Sequence, residues 1–146
     1  MQTEILIPTP PETVWRVLTD FPRYGEWNDF IPEVKGRLAP GSKIQIGMDV
    51  GLSELNRQKV KITEVVPPET LVWTSTFLFK GLVRTEHYFE LYREGPTETL
   101  LLQGVRHSGL LPSLINNPLE DVYRLRMREM NEGLKATAVA IYRGLV

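Results

Sequence analysis

The feature that most constrains this chain is a single change in the spacing of its apolar residues. From about residue 31 to residue 108, apolar and polar side chains alternate with a period of two. From residue 118 onward, apolar side chains recur every three or four residues. The first pattern is typical of β-strands with one buried face, and the second of an amphipathic helix. The chain must therefore cover one face of a sheet, and only the terminal helix is large enough to do so.

The alternation divides most of the chain into short strands separated by turn residues. Pro67-Pro68 and Gly95-Pro96 mark two of these turns. Short strands with short connections favour an antiparallel meander. Counting a first strand near the N-terminus, we expect a curved sheet of about six to seven strands, with runs at residues 3–8, 44–50, 59–63, 70–79, 83–93 and 98–108.

Two short helices are predicted between the first strand and the rest of the sheet. In residues 10–19, apolar side chains stand at helical spacing. Thr9 is expected to cap this helix, Pro10 suits its first position, and Glu12 completes a capping box. A second helical turn is expected at 22–27, after a proline.

The C-terminal segment predicts one long helix over residues 118–143. Asn117 and Pro118 provide a cap and a first-turn proline, and Gly144 can end the helix. A helix of this length spans about 39 Å, enough to lie across the whole sheet. Gly133 would bend it or permit a close contact. Its apolar stripe consists of Met127, Met130, Leu134, Ala138 and Ile141.

Composition excludes several classes of function. The chain has 146 residues, which predicts a single domain over 1–146, and no cysteine, which excludes disulfides, thiolate metal sites and cysteine nucleophiles. Its 17 basic and 18 acidic residues leave no basic excess for nucleic-acid binding. No apolar run approaches a membrane span, and residues 1–4 lack the basic start of a signal peptide. We therefore expect a cytoplasmic protein.

Several segments resemble the SRPBCC superfamily, which includes START-like lipid carriers, polyketide cyclases and plant pollen-allergen relatives. Residues 14–21 (Val-Trp-Arg-Val-Leu-Thr-Asp-Phe) and 24–31 (Tyr-Gly-Glu-Trp-Asn-Asp-Phe-Ile) are similar to its N-terminal signature. Residues 87–91 (His-Tyr-Phe-Glu-Leu) are similar to its "histidine, any, phenylalanine" strand, and residues 108–111 and 131–135 to its later motifs. The likeness covers essentially the whole chain.

This resemblance implies an α+β helix-grip (START-like) fold of the polyketide cyclase–dehydratase and lipid transport branch. In that fold a curved sheet surrounds a long C-terminal helix and leaves a cavity between them. The chain departs from the branch at Val105 and His107, where members often carry an acidic residue and an aromatic one, and at Asp29, where a proline is usual. An acid–base mechanism that relies on that acid is therefore not implied.

His87 is the residue most suited to chemistry in the cavity. Strand alternation places it on one face with Thr85, Phe89 and Leu91, and this apolar side should face the interior. An imidazole there can hydrogen-bond a ligand or act as a general acid or base, because its ordinary pKa lies near neutrality. It can equally be a buried histidine that a neighbour satisfies.

Gln103 and His107 lie on the neighbouring strand. A three-residue loop at 94–96 would place residue 93 opposite 97, so that His87 faces Gln103 and residue 83 faces His107. His87 and Gln103 would then be cross-strand neighbours, and His107 would lie nearer the mouth. Two histidines without a third ligand do not make a metal site. We therefore predict no metal and no cofactor.

The remaining candidate ligand contacts are aromatic and methionine side chains. Trp73, Phe77 and Phe89 are candidate cavity walls on the sheet, whereas Trp27 is expected in the core. Met127, Met130 and Leu134 line the predicted helix face, where core packing and ligand contact are both compatible with flexible side chains. Three glycine-containing segments are expected to rim the opening, at residues 51–56, 80–82 and 108–113.

Three functions remain open. The first is binding or transport of a small hydrophobic molecule, such as a lipid, polyketide or isoprenoid-like compound. The second is a polyketide cyclase or dehydratase that uses His87, so whether the chain is an enzyme stays undecided. The third is a protein-interaction module whose cavity is filled by its own side chains. Expected partners are a small hydrophobic ligand and, weakly, a second copy of the chain, without nucleic acid or an integral membrane segment.

Overall fold

A computed structural model describes residues 1–77, 83–109 and 120–145. Its helical elements are α1 (Pro11–Thr19), a 3₁₀ helix (Phe21–Glu26) and α2 (Glu120–Tyr142). Its strands are β1 (Gln2–Ile7), β2 (Glu33–Lys35), β3 (Lys43–Met48), β4 (Asn56–Val66), β5 (Thr70–Phe77), β6 (Val83–Gly95) and β7 (Glu98–Ser108). The predicted order of a strand, two short helices, further strands and a long terminal helix is confirmed.

The strands form one seven-stranded sheet in the order β1-β7-β6-β5-β4-β3-β2. Every neighbouring pair is antiparallel, as the short connections between the strands predict. Strands β2 to β7 follow one another as a meander, and β1 joins the far side by pairing with β7. The first and last strands are therefore neighbours, and both pack against α2.

The core lies between the inner face of the sheet and the helices. In β3, Ile44 and Ile46 are buried while Lys43 is exposed, so the period of two selects one face. Of the predicted α2 stripe, Met127, Met130, Leu134 and Ala138 are buried and Ile141 is partly buried, and the helix also packs on α1. The expected start of this helix at Asn117 and Pro118 lies outside the described residues. The fold is thus α+β, with a long C-terminal helix covering an antiparallel sheet.

The start of α1 differs from the predicted capping box. The residue that precedes the helix is Pro10, and no side chain caps the first turn. Thr9 lies one residue too early and is fully buried. Its backbone oxygen instead accepts a hydrogen bond from the Thr99 hydroxyl at 2.7 Å, which ties the entry of α1 to β7. Tertiary burial of Thr9 therefore replaces local capping.

Gly133 allows α2 to approach the 3₁₀ helix closely. A Cβ atom built at Gly133 would lie 2.4 Å from the backbone oxygen of Trp27, a distance that real side chains do not show. The expected close contact at this glycine is therefore confirmed. The carbonyl of Trp27 occupies the space where any other residue would carry its side chain.

The register between β6 and β7 differs by two residues from the predicted one. Gly95 pairs with Glu98 and Arg93 with Thr99, so the turn contains only two residues and a bulge interrupts the ladder between Arg93 and Gly95. His87 consequently lies opposite Val105, and His107 lies opposite Thr85 instead of residue 83. Because the shift is two residues, every side chain keeps its predicted face of the sheet.

Candidate functional site

A cavity of about 750 Å³ lies between the sheet and the N-terminal half of α2. Its inner part is lined by buried residues, chiefly Phe30, Trp73, His87 and Met127. Its outer part is polar and more exposed, and includes Asn56, Gln58, Lys59, Ser75, Thr76, Thr85 and His107. The cavity therefore runs from a polar rim to an aromatic and aliphatic floor, the usual construction of a small-molecule pocket.

The predicted contact residues fall into two groups. Trp73, His87 and Met127 line the cavity, and His107 lies at its rim. The others are fully buried in the closed core behind it, namely Phe89, Gln103, Met130 and Leu134. The side chain of Phe77 lies outside the described residues.

Of the three segments expected to rim the opening, one contributes a residue to the observed cavity lining. Asn56 belongs to the cavity lining, whereas residues 80–82 and 110–113 lie outside the described part of the chain. The predicted core residue Trp27 is half-buried beside Tyr24, with ring centroids 5.0 Å apart. It lines a different groove, between α1 and α2.

Aromatic rings surround the imidazole of His87. The ring centroids of Phe89 and Trp73 lie 4.9 and 5.0 Å from it, and that of Phe30 lies 6.4 Å away. These neighbours exclude water from most of the ring. Burial consequently lowers the pKa of His87 to about 4, against the smaller raising effect of its hydrogen bond to Gln103. The imidazole is therefore neutral at physiological pH.

The Gln103 amide holds one edge of this imidazole. Nε2 of His87 and Oε1 of Gln103 are 2.8 Å apart, although the two residues are diagonal in the register rather than directly opposite. The amide nitrogen of Gln103 donates to Oδ1 of Asn131 at 2.6 Å and to the backbone oxygen of Met127 at 3.3 Å. Both groups belong to α2, so Gln103 joins the sheet to the helix.

Asn131 and Thr3 complete this buried polar network. The Asn131 amide nitrogen donates to the Thr3 hydroxyl at 2.9 Å, and that hydroxyl donates to the backbone oxygen of Gln103 at 3.0 Å. Sequence reasoning missed both residues. The signal for Asn131 is its position in the apolar stripe of α2, directly after Met130. The signal for Thr3 is that it shares a strand face with two isoleucines of β1.

Two further wall residues were also missed, Phe30 and Tyr123. Their ring centroids are 6.0 Å apart across the cavity wall. The side chain of Asn28 fixes the loop that carries Phe30, because its oxygen accepts from the backbone nitrogens of Phe30 and Ile31 at 3.1 and 2.8 Å. Asn28 therefore holds the loop that brings Phe30 to the cavity. Partial burial raises the pKa of Tyr123, so its hydroxyl stays protonated.

His107 forms part of the rim rather than of the floor. Its Nδ1 lies 3.0 Å from the Thr85 hydroxyl, and the residue is exposed. Partial burial, and secondarily the positive N-terminal amine, lower the pKa of this histidine. The two histidines thus occupy different depths of the same cavity.

Two other depressions lie on the surface. One of about 610 Å³ runs between α1 and α2 and carries the charged side chains of Arg16, Asp20, Arg23 and Glu26. The other, of about 760 Å³, lies on the outer side of β3 to β6 and is lined mainly by lysines and threonines. Neither has a buried polar side chain among its described lining residues. The cavity at His87 is therefore the candidate site.

Two kinds of feature are absent from the described residues, namely a metal-binding cluster and a membrane-spanning helix. In this part of the chain no three His, Cys, Asp or Glu side chains come together in a way that would hold a metal ion. Within residues 1–77, 83–109 and 120–145, no helix is long and apolar enough to cross a membrane.

The fold and its cavity define a START-like, helix-grip protein. Solved structures share this architecture over almost the whole chain. The Zhui aromatase/cyclase from Streptomyces sp. R1128 has a TM-score of 0.73 at 16% identity, covering 96% of this chain and 93% of that one. A START superfamily protein from Mycobacterium smegmatis has a TM-score of 0.74 at 15% identity, covering 97% of each chain. Protein MLL2253 from Mesorhizobium loti has a TM-score of 0.64 at 22% identity, covering 93% and 95%.

Sequence comparison identifies the family itself. Residues 1–138 match the family described as polyketide cyclase/dehydrase and lipid transport, and the chain belongs to it. No curated protein matches the chain. The solved structures are less than 25% identical to the chain, so they establish its fold, and the family joins two kinds of function on that fold.

Proposed function

We propose that this protein binds a small, largely apolar molecule in the cavity between its sheet and α2. The observation that carries the proposal is the cavity itself, about 750 Å³ with a buried floor of Phe30, Trp73 and Met127. A volume of this size suits a ligand of drug-like dimensions. Met127 adds a flexible, polarisable wall that adapts to different shapes. The family's lipid-transport branch supports a hydrophobic ligand.

A second candidate function is catalysis of cyclisation or dehydration in the same cavity. Its candidate base is the neutral imidazole at the floor, which can accept a proton from a substrate, although a pKa of about 4 makes it a weak base. The family description and the fold shared with an aromatase/cyclase support this candidate. Against it, His87 is the only titratable side chain among the buried residues of the described lining.

The third hypothesis, an interaction module with a filled cavity, has less support. Side chains of the described residues leave the space beside His87 open. A module that works only through its outer surface has no need of that space, because a filled core is more stable than one with a cavity. Binding inside the fold therefore accounts better for the observed packing.

Native mass spectrometry of freshly purified protein tests the proposal. We expect a population heavier than the bare chain by the mass of one small molecule, which organic extraction then releases for identification. If only the mass of the bare chain is found, titration with hydrophobic probes then tests whether the cavity binds a ligand. Failure of every apolar probe to bind at micromolar concentration would contradict ligand binding.

A matched pair of variants locates the bound molecule. Ser75 shares its strand face with Trp73 and lines the cavity, whereas Thr74 points to the outer side of the sheet. Ser75→Trp should therefore fill the cavity mouth and remove the bound mass, and Thr74→Trp should retain it. Retention of the molecule in both variants would place it elsewhere on the protein. Turnover of the identified molecule by the wild-type chain, and its loss in His87→Leu, would establish the catalytic alternative.

A further inference from the structure

The polar network behind the cavity has a consequence for the class of ligand. We infer that the ligand presents an uncharged hydrogen-bond donor, such as the hydroxyl of a phenol or an alcohol, to Nδ1 of His87 at the buried end of the cavity. This inference rests on the proposed function, because it describes the molecule that the same cavity binds. It follows from the orientation of the Gln103 amide and from the position of His87.

The orientation of the Gln103 amide is fixed by the backbone of α2. The carbonyl oxygen of Met127 can only accept, so the Gln103 group that faces it at 3.3 Å must be the amide nitrogen. The same nitrogen faces Oδ1 of Asn131 at 2.6 Å. Reversing the amide would bring two oxygens together at each of these contacts. The oxygen Oε1 of Gln103 must therefore face His87.

The other end of the network supports the same orientation. The Thr3 hydroxyl donates its single proton to the backbone oxygen of Gln103. It must then accept from Asn131, which requires the amide nitrogen of Asn131 on that side and its oxygen toward Gln103. A backbone carbonyl thus anchors the network at each end, and its direction leaves no alternative.

This direction determines which nitrogen of His87 carries the proton. Oε1 of Gln103 accepts, so Nε2 of His87 at 2.8 Å must donate. A neutral imidazole holds one N–H, and burial keeps this imidazole neutral. Nδ1 is therefore left with a lone pair and no proton, and it can act only as an acceptor.

Nδ1 is also within reach of a ligand. None of the described hydrogen bonds uses this atom, and His87, although buried, is one of the residues that line the cavity. The Nε2 edge of the ring is turned to Gln103, which leaves the Nδ1 edge for a molecule in the cavity. A fixed acceptor at the floor needs a donor from whatever displaces water there.

Ligand groups differ in their ability to meet this need. An ionised carboxylate, an ether and a ketone are acceptors only, so each would bring a lone pair toward the lone pair of Nδ1. An ammonium group can donate, but it would carry an unpaired charge into a floor of Trp73 and Phe30. A hydroxyl donates without a charge, and its apolar carrier can pack on the same rings.

The polarity of the cavity orients the molecule. The rim carries Lys59, Asn56 and Gln58, which can hydrate or pair with a polar second end. The floor offers one acceptor among aromatic rings. The hydroxyl therefore enters first, and any charged group of the ligand stays at the rim near Lys59.

Three matched probes test the inference by calorimetric titration, namely 4-hydroxystilbene, 4-methoxystilbene and stilbene-4-carboxylate. They share one apolar frame and differ in whether the terminal group can donate. We expect the hydroxyl compound to bind wild-type protein about tenfold or more tightly than the methyl ether, the ratio that corresponds to one hydrogen bond to a buried group. The carboxylate should also bind more weakly than the phenol, because turning its charged end to the rim near Lys59 leaves Nδ1 without a donor.

Variants and outcomes separate this inference from the proposed function. In His87→Leu the preference for the hydroxyl compound over the ether should disappear, while thermal melting shows that the variant is folded. Tyr92→Leu changes an exposed residue of the same strand and should keep the preference. Equal affinity for phenol and ether in wild-type protein would overturn the inference but leave ligand binding intact. Failure of all three probes to bind would count against the proposed function itself.

Nuclear magnetic resonance provides a test that needs no ligand. Long-range proton–nitrogen correlations of His87 at pH 7 should show a protonated Nε2 and a bare Nδ1. His107, exposed at the rim, serves as the internal comparison in the same spectrum. A proton on Nδ1 of His87 in the wild-type protein would overturn the inference whatever the titrations show.

Discussion

At the scale of single residues, the burial of His87 links stability to pH. Its ordinary pKa of 6.5 falls to about 4 in the folded chain because burial disfavours the charged ring. The folded state therefore takes up a proton less readily than the unfolded state. The stabilisation from neutral His87 is complete above about pH 6.5 and is lost as the pH falls toward 4.

This residue should account for a measurable part of acid sensitivity. Between pH 7 and pH 4, the free energy of unfolding of wild-type protein should fall by about 3 kcal/mol more than that of His87→Leu. Urea unfolding at several pH values gives both curves. His107→Leu is the control: partial burial lowers the pKa of that histidine too, but it lies at the exposed rim, so its curve should lie much nearer to the wild-type curve than that of His87→Leu does. Parallel curves for wild type and His87→Leu would show that burial does not control this protonation.

The sequence predicts which face of the sheet carries the His87 side chain, but it does not predict the complete hydrogen-bond network around it. Strand alternation places His87 and Gln103 on the inner face, and the two side chains do meet, although the register is wrong by two residues. The bulge near Gly95 causes this error, because a turn's length is not readable from a proline alone. Asn131 and Thr3 stand on predictable faces. Their meeting with Gln103 depends on where α2 crosses the sheet, which no local pattern contains.

At the scale of elements, α2 meets the end of the 3₁₀ helix at Gly133. Replacing this glycine by alanine has two opposite effects on stability, a gain in helix propensity and a steric clash. Replacing a helical glycine by alanine usually stabilises by about 1 kcal/mol. At Gly133 the new Cβ would lie 2.4 Å from the backbone oxygen of Trp27, so one of the two segments must move. A backbone atom cannot turn aside as a flexible side chain can. The steric effect should therefore exceed the gain in helix propensity.

Gly133→Ala should consequently destabilise the protein, by about 1–3 kcal/mol. Chemical denaturation measures the change in the free energy of unfolding. Ala136→Gly, at an exposed position of the same helix, calibrates propensity alone and should lose about 1 kcal/mol. A stabilised Gly133→Ala protein would mean that α2 and Trp27 are not held at the distance seen here.

The element boundaries also show where sequence patterns suffice. All seven described strands lie in one antiparallel sheet, and α2 buries the predicted stripe except for the partly buried Ile141, because long periodic segments determine which face is apolar. The cap of α1 was predicted wrongly at Thr9. The capping-box pattern predicted a cap there, but Thr9 is buried instead and its backbone oxygen accepts a hydrogen bond from Thr99. Tertiary contacts therefore decided the details at the ends of elements, and periodicity decided their kind.

At the scale of the whole molecule, the cavity exists only while the sheet and α2 are packed together. Trp73 and His87 come from adjacent strands, Phe30 from the loop before β2, and Met127 from the terminal helix. These side chains lie far apart along the sequence, so an unfolded chain has no equivalent site. A molecule that occupies the cavity must therefore bind the folded state alone and oppose its unfolding.

Binding should thus appear as a gain in thermal stability. At a free concentration of one hundred times the dissociation constant, 4-hydroxystilbene should stabilise the fold by about 2.7 kcal/mol. For a domain of this size, that corresponds to a rise in Tm of roughly 5–10 °C. Differential scanning calorimetry at increasing probe concentration measures it. Thr74→Trp should show the same rise, since its new side chain points away from the cavity, whereas Ser75→Trp should show little or none because the indole occupies the mouth. An equal rise in the two variants would mean that the probe stabilises the protein from outside, and the cavity would lose its assignment as the binding site.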